Sequence, residues 1–216
     1  VSYVKNSKIN LTKMLRPEER TKLDPTKDSD FYAFPRFVTH VDEGFIDQLT
    51  ALYREVLSPN TRILDLMSSW VSHLPEEMEF EYIEGHGMNG EELAKNPRLH
   101  SYFVQDLNAQ PKLPLEDSSF DAVLITVSVQ YLQYPEAIFA ELYRILNRMF
   151  HQKAIAAWRD NSDLGRVALV KSYFKSVAGF REIQAIVRPT TTPSFLQMLG
   201  IMVADPFYAV IGKFLE

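Results

Sequence analysis

Four short runs collect the groups that could bind a small polar molecule. They are Asp65-Leu66-Met67-Ser68-Ser69-Trp70, Gly85-His86-Gly87-Met88-Asn89, Asp106-Leu107-Asn108 and Val127-Ser128-Val129-Gln130-Tyr131. Together they hold what a nucleotide pocket requires. Ionised carboxylates only accept hydrogen bonds, hydroxyls and amides do both, and small residues let the backbone approach a ligand. Other chemistries fit less well. His86 has only Glu84 and Asn89 nearby, and no H-x-H or H-x-x-x-H spacing occurs, so no metal is expected. Ser68-Ser69 lacks the flanking glycines of a G-x-S-x-G nucleophile elbow. Cysteine is absent, which excludes disulfides, thiolate zinc sites and a Cys nucleophile. No G-x-G-x-x-G opens the first run, which argues against a nicotinamide oxidoreductase. No catalytic residue stands out. The nominees for a base are His73 and Tyr131, with His40 or Arg36 joining them if the aromatic segment FYAFPRFV (Phe31–Val38) folds over the pocket.

These runs need elements to hold them, and the chain can build those elements. Its 216 residues, 46% hydrophobic and 24% charged, are those of an ordinary globular protein with a core of its own. Lys and Arg total 23 against 28 Asp and Glu, a formal net charge of −5 without a basic run, so nucleic acid is not an expected partner. No stretch approaches the roughly 20 apolar residues of a membrane span, and no membrane association is expected. The chain starts at Val1 and its first twenty residues hold no apolar leader core, so a cytoplasmic location is expected.

Residues 1–30 are polar and read as an arm, and Phe31–Val38 as its aromatic end docked on the domain. Two units are therefore expected, an N-terminal arm over 1–38 and an α/β domain over 39–216. Phe31, Phe34 and Phe37 are expected to be mostly buried, since aromatics in a solvated tail gain nothing. Beyond Asp42, Phe45, Ile46, Leu49, Leu52, Tyr53 and Val56 share one helical face, capped by Thr39 or Asp42. Strands are expected at Arg62–Leu66, Glu81–Met88, Ser101–Leu107 and Phe120–Val127. Helices are expected from near Asn89, over Pro135–Leu146, and near Phe150–Trp158 and Leu164–Phe174. Late strands fall at Arg181–Val187 and Phe207–Phe214, with a loop at Arg188–Ser194. Strands apolar on both faces and alternating with helices imply a parallel sheet with covering helices. In such sheets ligands bind beyond the carboxyl ends of the strands, where all four runs lie.

The stretch LPLEDSSFDAVLITVSVQYLQYPEAIFAELYRIL resembles the central block of class I S-adenosylmethionine-dependent methyltransferases (the type 11-like group). It holds Ser119-Phe120-Asp121 leading into a strand, then Val129-Gln130-Tyr131-Leu132, then a helix ending at Arg144-Ile145-Leu146, all downstream of Asp106. The likeness covers about Ile63 to Leu146. It implies a Rossmann-like, doubly wound, mostly parallel sheet with helices on both faces, S-adenosylmethionine as cofactor, and methyl transfer to a small-molecule acceptor. Asp65 would close the first strand, with Met67, Ser68 and Ser69 as the first cofactor loop. Gly85, His86, Gly87, Met88 and Asn89 would lie at the ribose. Asp106 would accept from the adenine amine, with the N–H of Leu107 or Asn108 serving a ring nitrogen.

Three departures accompany the likeness. The family's first loop is glycine-rich, whereas Met67-Ser68-Ser69-Trp70 has no glycine. The family's ribose-binding acid falls on Gly87, leaving Asn89, or Glu84 in a shifted register, as substitutes. Both departures imply weak or altered cofactor binding, and so an alternative reading as a methyltransferase-like binding or regulatory module without catalysis. Finally, Leu146 runs into Asn147 without the family's Lys-Pro-Gly-Gly turn and fifth strand. Roughly a dozen residues, a turn plus a strand, are expected to be missing there, with a smaller omission near Arg188-Pro189.

Overall fold

The structure, a computed structural model, describes residues 15–146, 163–177, 180–188 and 207–214. Four short parallel strands form its central sheet: β1 (Arg62–Asp65), β2 (Tyr82–Gly87), β3 (Ser101–Val104) and β4 (Ala122–Leu124). Their order is β3-β2-β1-β4. Ile63 aligns with Ile83 on one side and Ala122 on the other. The chain therefore grows outward from β1 through β2 to β3, then returns to β1's other edge. That reversal is the switch point at which open α/β sheets bind ligands.

Alternation along the strands sends side chains into two apolar layers. Leu64, Leu66, Val123 and Ile125 pack with Ile138, Phe139, Leu142 and Ile145 of α4 (Pro135–Ile145) and with Val170, Tyr173 and Phe174 of α5 (Asp163–Lys175). Ile63, Ile83 and Leu124 pack instead with Phe45, Leu49, Leu52 and Tyr53 of α2 (Glu43–Val56). Of the two proposed caps, Asp42 starts α2, its carboxylate accepting from the Phe45 N–H at 2.7 Å. A shorter helix, α3 (Gly90–Lys95), begins at Asn89, and a one-turn helix, α1 (Asp28–Phe31), lies in the arm. The fold is a Rossmann-like α/β sandwich with helices on both faces of a mostly parallel sheet.

Some expected boundaries shift. β3 is an edge strand with Tyr102 and Val104 exposed, so it is not apolar on both faces. β4 ends at Leu124, three residues before Val127, where the backbone takes a left-handed φ of 55°. The late strands β5 (Phe180–Arg188) and β6 (Phe207–Phe214) pair antiparallel. Val210 joins the α4–α5 layer while Ala209 and Ile211 join the α2 layer, so β6 continues the same sandwich. Beyond α4 the chain makes a parallel bridge from Leu146 to Phe120, at the start of the free edge of β4. Asn147, and with it the expected omission after Leu146, lies outside the described residues. So do the expected helix near Phe150–Trp158 and residues 189–206, which include the loop expected after Arg188.

The arm is fastened by polar contacts, not by its phenylalanines. Phe31, Phe34 and Phe37 are 49%, 78% and 47% exposed, which corrects the expectation that they are buried. Instead Arg20 forms a buried ion pair with Glu136 of α4 at 2.7 Å and donates to the Leu15 and Gln133 carbonyls. The Asn108 amide donates to Asp28, and the Trp70 indole to the Val38 carbonyl at 3.1 Å. Leu15 supplies the arm's one buried apolar anchor among the described residues.

Candidate functional site

A cavity of about 610 Å³ opens beyond the carboxyl ends of β1, β2, β3 and β4. That volume suits a nucleotide-sized ligand. Asp65, Met67, Ser68 and Ser69 line it from the β1 exit, and His86, Gly87, Met88 and Asn89 from the β2 exit. Asp106, Leu107 and Asn108 line it beyond β3. Gly85 does not: it faces Leu99, whose Cδ1 would lie 2.3 Å from an added Cβ. Glu84 is also turned away, its carboxylate taken by the Tyr82 hydroxyl.

The glycine-free loop is held by groups that reach back into the sheet. Met67 takes a left-handed φ of 59°, the conformation glycine adopts without strain. Its N–H donates to His86 Nδ1 at 3.1 Å, while Ser68 N–H donates to the His86 carbonyl at 2.7 Å. The other imidazole nitrogen, Nε2, donates to the Gln105 carbonyl at 3.0 Å. An imidazole accepting at one nitrogen and donating at the other is neutral, and burial lowers the His86 pKa to about 4. His86 is thus a clamp joining the loops after β1 and β3. Among the described residues no cluster of three or more His, Asp or Glu could hold a metal.

Asp65 Oδ2 accepts from Ser68 at 2.6 Å and from Ser72 at 2.5 Å. Asn96 in turn donates to Ser72 Oγ and to the Ser69 carbonyl. Burial pushes the Asp65 carboxyl up to about 6, against the pull of the two serine hydroxyls. Ser69 donates to Glu92 Oε2 at 2.5 Å, and Glu92 Oε1 accepts the Arg36 N–H at 2.7 Å. Glu92, unmarked in the sequence, therefore ties loop, α3 and arm together. Its only signal was its place three residues after Asn89, in the first turn of α3.

Asn89 caps α3, its Oδ1 accepting from Glu91 and Glu92 N–H, while Nδ2 donates to the Tyr32 and Ala33 carbonyls. Its amide is fully engaged, so it is no substitute for a ribose-binding acid. Gly87 cannot become one either, because a Cβ there would sit 2.6 Å from the Ser68 carbonyl oxygen. Asp106 Oδ1 caps its own turn by accepting from Asn108 N–H at 2.9 Å, which leaves Oδ2 available. That bond also uses the Asn108 N–H, so of the two proposed donors Leu107 is the one with its N–H available. Asn108 Oδ1 accepts from Gln133 N–H at 2.8 Å, linking the β3 and β4 exits.

The remaining wall comes from the arm and the β4 exit. Asp28, Phe31, Tyr32, Arg36 and His40 line it, as do His73, Ser128, Gln130 and Tyr131. Burial holds His73 below the usual imidazole pKa, so it is neutral at pH 7. Ser128 Oγ and Gln130 Oε1 are buried beside the cavity without a hydrogen-bond partner among the described residues.

Known proteins agree with this architecture. Residues 86–149 match the family model for a methyltransferase domain. No curated protein sequence matches the chain. One chain of the Haloferax volcanii complex between the Trm112 methyltransferase activator and a methyltransferase is similar in structure, at 15% identity and a TM-score of 0.57, covering 81% of this chain and 91% of that one. An S-adenosylmethionine-dependent methyltransferase from Mesorhizobium loti is similar at 16% identity and a TM-score of 0.51, covering 76% and 96%. One from Aquifex aeolicus is similar at 14% and 0.51, covering 80% and 92%. Residues 86–149 thus match a methyltransferase domain, and the chain shares the fold of these S-adenosylmethionine-dependent methyltransferases, with a first loop that has no glycine.

Proposed function

We propose that the protein is an S-adenosylmethionine-dependent methyltransferase acting on a small-molecule acceptor. The observation that carries this is that Asp106, Leu107, Ser128 and Gln130 line one cavity at the switch point, with Oδ1 of Asp106 spent on its own turn and Oδ2 left for a ligand. Those groups fit the cofactor. The carboxylate suits an exocyclic amine and the neighbouring N–H a ring nitrogen. Bound there, S-adenosylmethionine would supply a methyl group made electrophilic by its sulfonium.

The chain's own part is to position the reactants and remove a proton. His86 and Asp65 fix the loop after β1, and Asp106 fixes the β3 turn. An acceptor held between the arm and the β4 exit meets His73, which is neutral and able to take a proton. Alignment of acceptor and methyl group supplies much of the acceleration that such a transfer needs.

A second reading, a binding module without catalysis, is favoured by the loop itself. The Met67 and Ser68 N–H groups are already paired, and Gly87 offers no carboxylate. Calorimetric titration with S-adenosylmethionine and with S-adenosylhomocysteine separates the two readings. Binding of both is expected; absence of binding at millimolar ligand would leave the module reading.

A further inference from the structure

We propose that Arg36 is a carboxylate seat within the cavity, supplied by the N-terminal arm where the Met67 and Ser68 N–H groups of the first loop are already paired with His86. The inference rests on the cofactor reading above. Arg36 is the one arginine lining the cavity among the described residues. Its Nη2 donates to the Phe31 carbonyl at 2.8 Å. Among the described residues its other guanidinium N–H groups have no acceptor, and no carboxylate lies within ion-pair distance. Arg20, Arg54, Arg62 and Arg144 each have such a carboxylate. The Phe31 ring lies 4.4 Å and the Tyr32 ring 5.8 Å from its guanidinium carbon. The rings hold the guanidinium by cation–π contact and offer it no acceptor, so its unpaired N–H groups suit the paired oxygens of a carboxylate. The backbone of Arg36 is fixed independently, by its N–H on Glu92.

The other charged groups of the wall do not compete for this role. Asp28, Asp65 and Glu92 each accept at least two hydrogen bonds already. In the β1 loop the Met67 and Ser68 N–H groups are spent on His86. An anion entering the cavity therefore finds its fixed cation on the arm. Two sources carry the matching chemistry: the amino-acid end of the cofactor, or a carboxylate on the acceptor.

Calorimetry on the intact chain and on Arg36→Gln distinguishes them, with S-adenosylhomocysteine set against methylthioadenosine, which lacks the amino-acid group. Benzoate set against benzamide tests the acceptor side. A loss of roughly ten- to a hundredfold in S-adenosylhomocysteine affinity, with methylthioadenosine unchanged, places the cofactor's carboxylate on Arg36. Unchanged nucleoside binding with loss of a benzoate preference over benzamide places the acceptor's there. Equal losses for S-adenosylhomocysteine and methylthioadenosine, or no change with any of the four probes, would overturn the seat. Should the wild-type chain bind neither nucleoside, the cofactor reading fails, and the benzoate pair still decides the seat. Arg36→Lys, which keeps the charge and loses the fork, is expected to recover only part of the affinity.

Discussion

Asp65 and His86 are buried neighbours of the same loop with opposite pH behaviour. The Asp65 pKa is raised from 3.8 to about 6 by burial, so the folded state holds a proton that the unfolded chain has lost. Its stabilising share is full below about pH 4 and is lost as pH rises to 6, about 3 kcal/mol in all. The His86 pKa is lowered from 6.5 to about 4, so the unfolded chain binds the extra proton. Its share is present above about pH 6.5 and is lost as pH falls to 4, a similar amount. The two terms largely cancel in the wild type. Asp65→Asn keeps a carbonyl oxygen for both serine hydroxyls, because both donate to Oδ2. Urea unfolding should show this variant gaining about 3 kcal/mol relative to wild type between pH 4 and 6. A gap independent of pH would refute a raised Asp65 pKa. At Asp106, Asp106→Asn keeps the Oδ1 cap of its turn and turns an amine outward. Calorimetry should show cofactor binding weakened by about 1.5–3 kcal/mol, as for a hydrogen bond to a charged group; unchanged affinity would exclude its adenine role. Asp106 was legible in the sequence because strand, acid and turn are local. The engagement of Asn89 was not, since its partners Tyr32 and Ala33 lie far away in sequence.

The elements around the first loop show how its backbone packs closely without a glycine of its own. In this chain the glycines stand on β2, at Gly85 and Gly87, and the bulk stands on β1's loop. A backbone-to-backbone approach needs one small partner, and here it is Gly87 beneath the Ser68 carbonyl. The strand periodicity and turn residues gave β1, β2 and the start of α3 to within a residue or two. The clamp did not show, because His86 is one position in an alternating strand and its partners come from two other loops. Gly87→Asp, which would place an acid where the superfamily carries one, is expected to fail. Its Cβ must displace backbone, at a cost of about 1–3 kcal/mol. A lower melting temperature with no gain in S-adenosylhomocysteine affinity is expected, and tighter binding would show that the loop yields easily.

At the scale of the whole molecule the arm is part of the cavity wall, so its attachment and ligand binding are one equilibrium. Charge patterning in residues 15–41 did not reveal this, since Arg20, Asp28 and Arg36 pair with or face groups far along the chain. Arg20 and Glu136 are both nearly enclosed, with side chains 11% and 9% exposed. Removing one partner strands the other charge, so Arg20→Ala should destabilise the protein by about 3–5 kcal/mol in urea unfolding. A loss below 1 kcal/mol would mean that Glu136 finds water. The contacts of residues 32–38 differ in kind: carbonyls of Tyr32, Ala33 and Val38 and the N–H of Arg36 hold the chain down, while Phe34 is largely exposed and Phe31 and Phe37 are about half exposed. A protease specific for aromatic residues must detach this backbone before cutting, and cleavage then follows the open population. A ligand that contacts the closed arm lowers that population by a factor of one plus the ratio of free ligand concentration to Kd, roughly a hundredfold at a hundred times its dissociation constant. Saturating S-adenosylhomocysteine should therefore slow chymotryptic cleavage at Phe31–Phe37 by up to that factor. Cleavage at Tyr102, on the exposed edge of the sheet, should slow far less if the edge opens on its own. Equal rates at Phe31–Phe37 with and without ligand would show that the arm does not sense the occupied cavity.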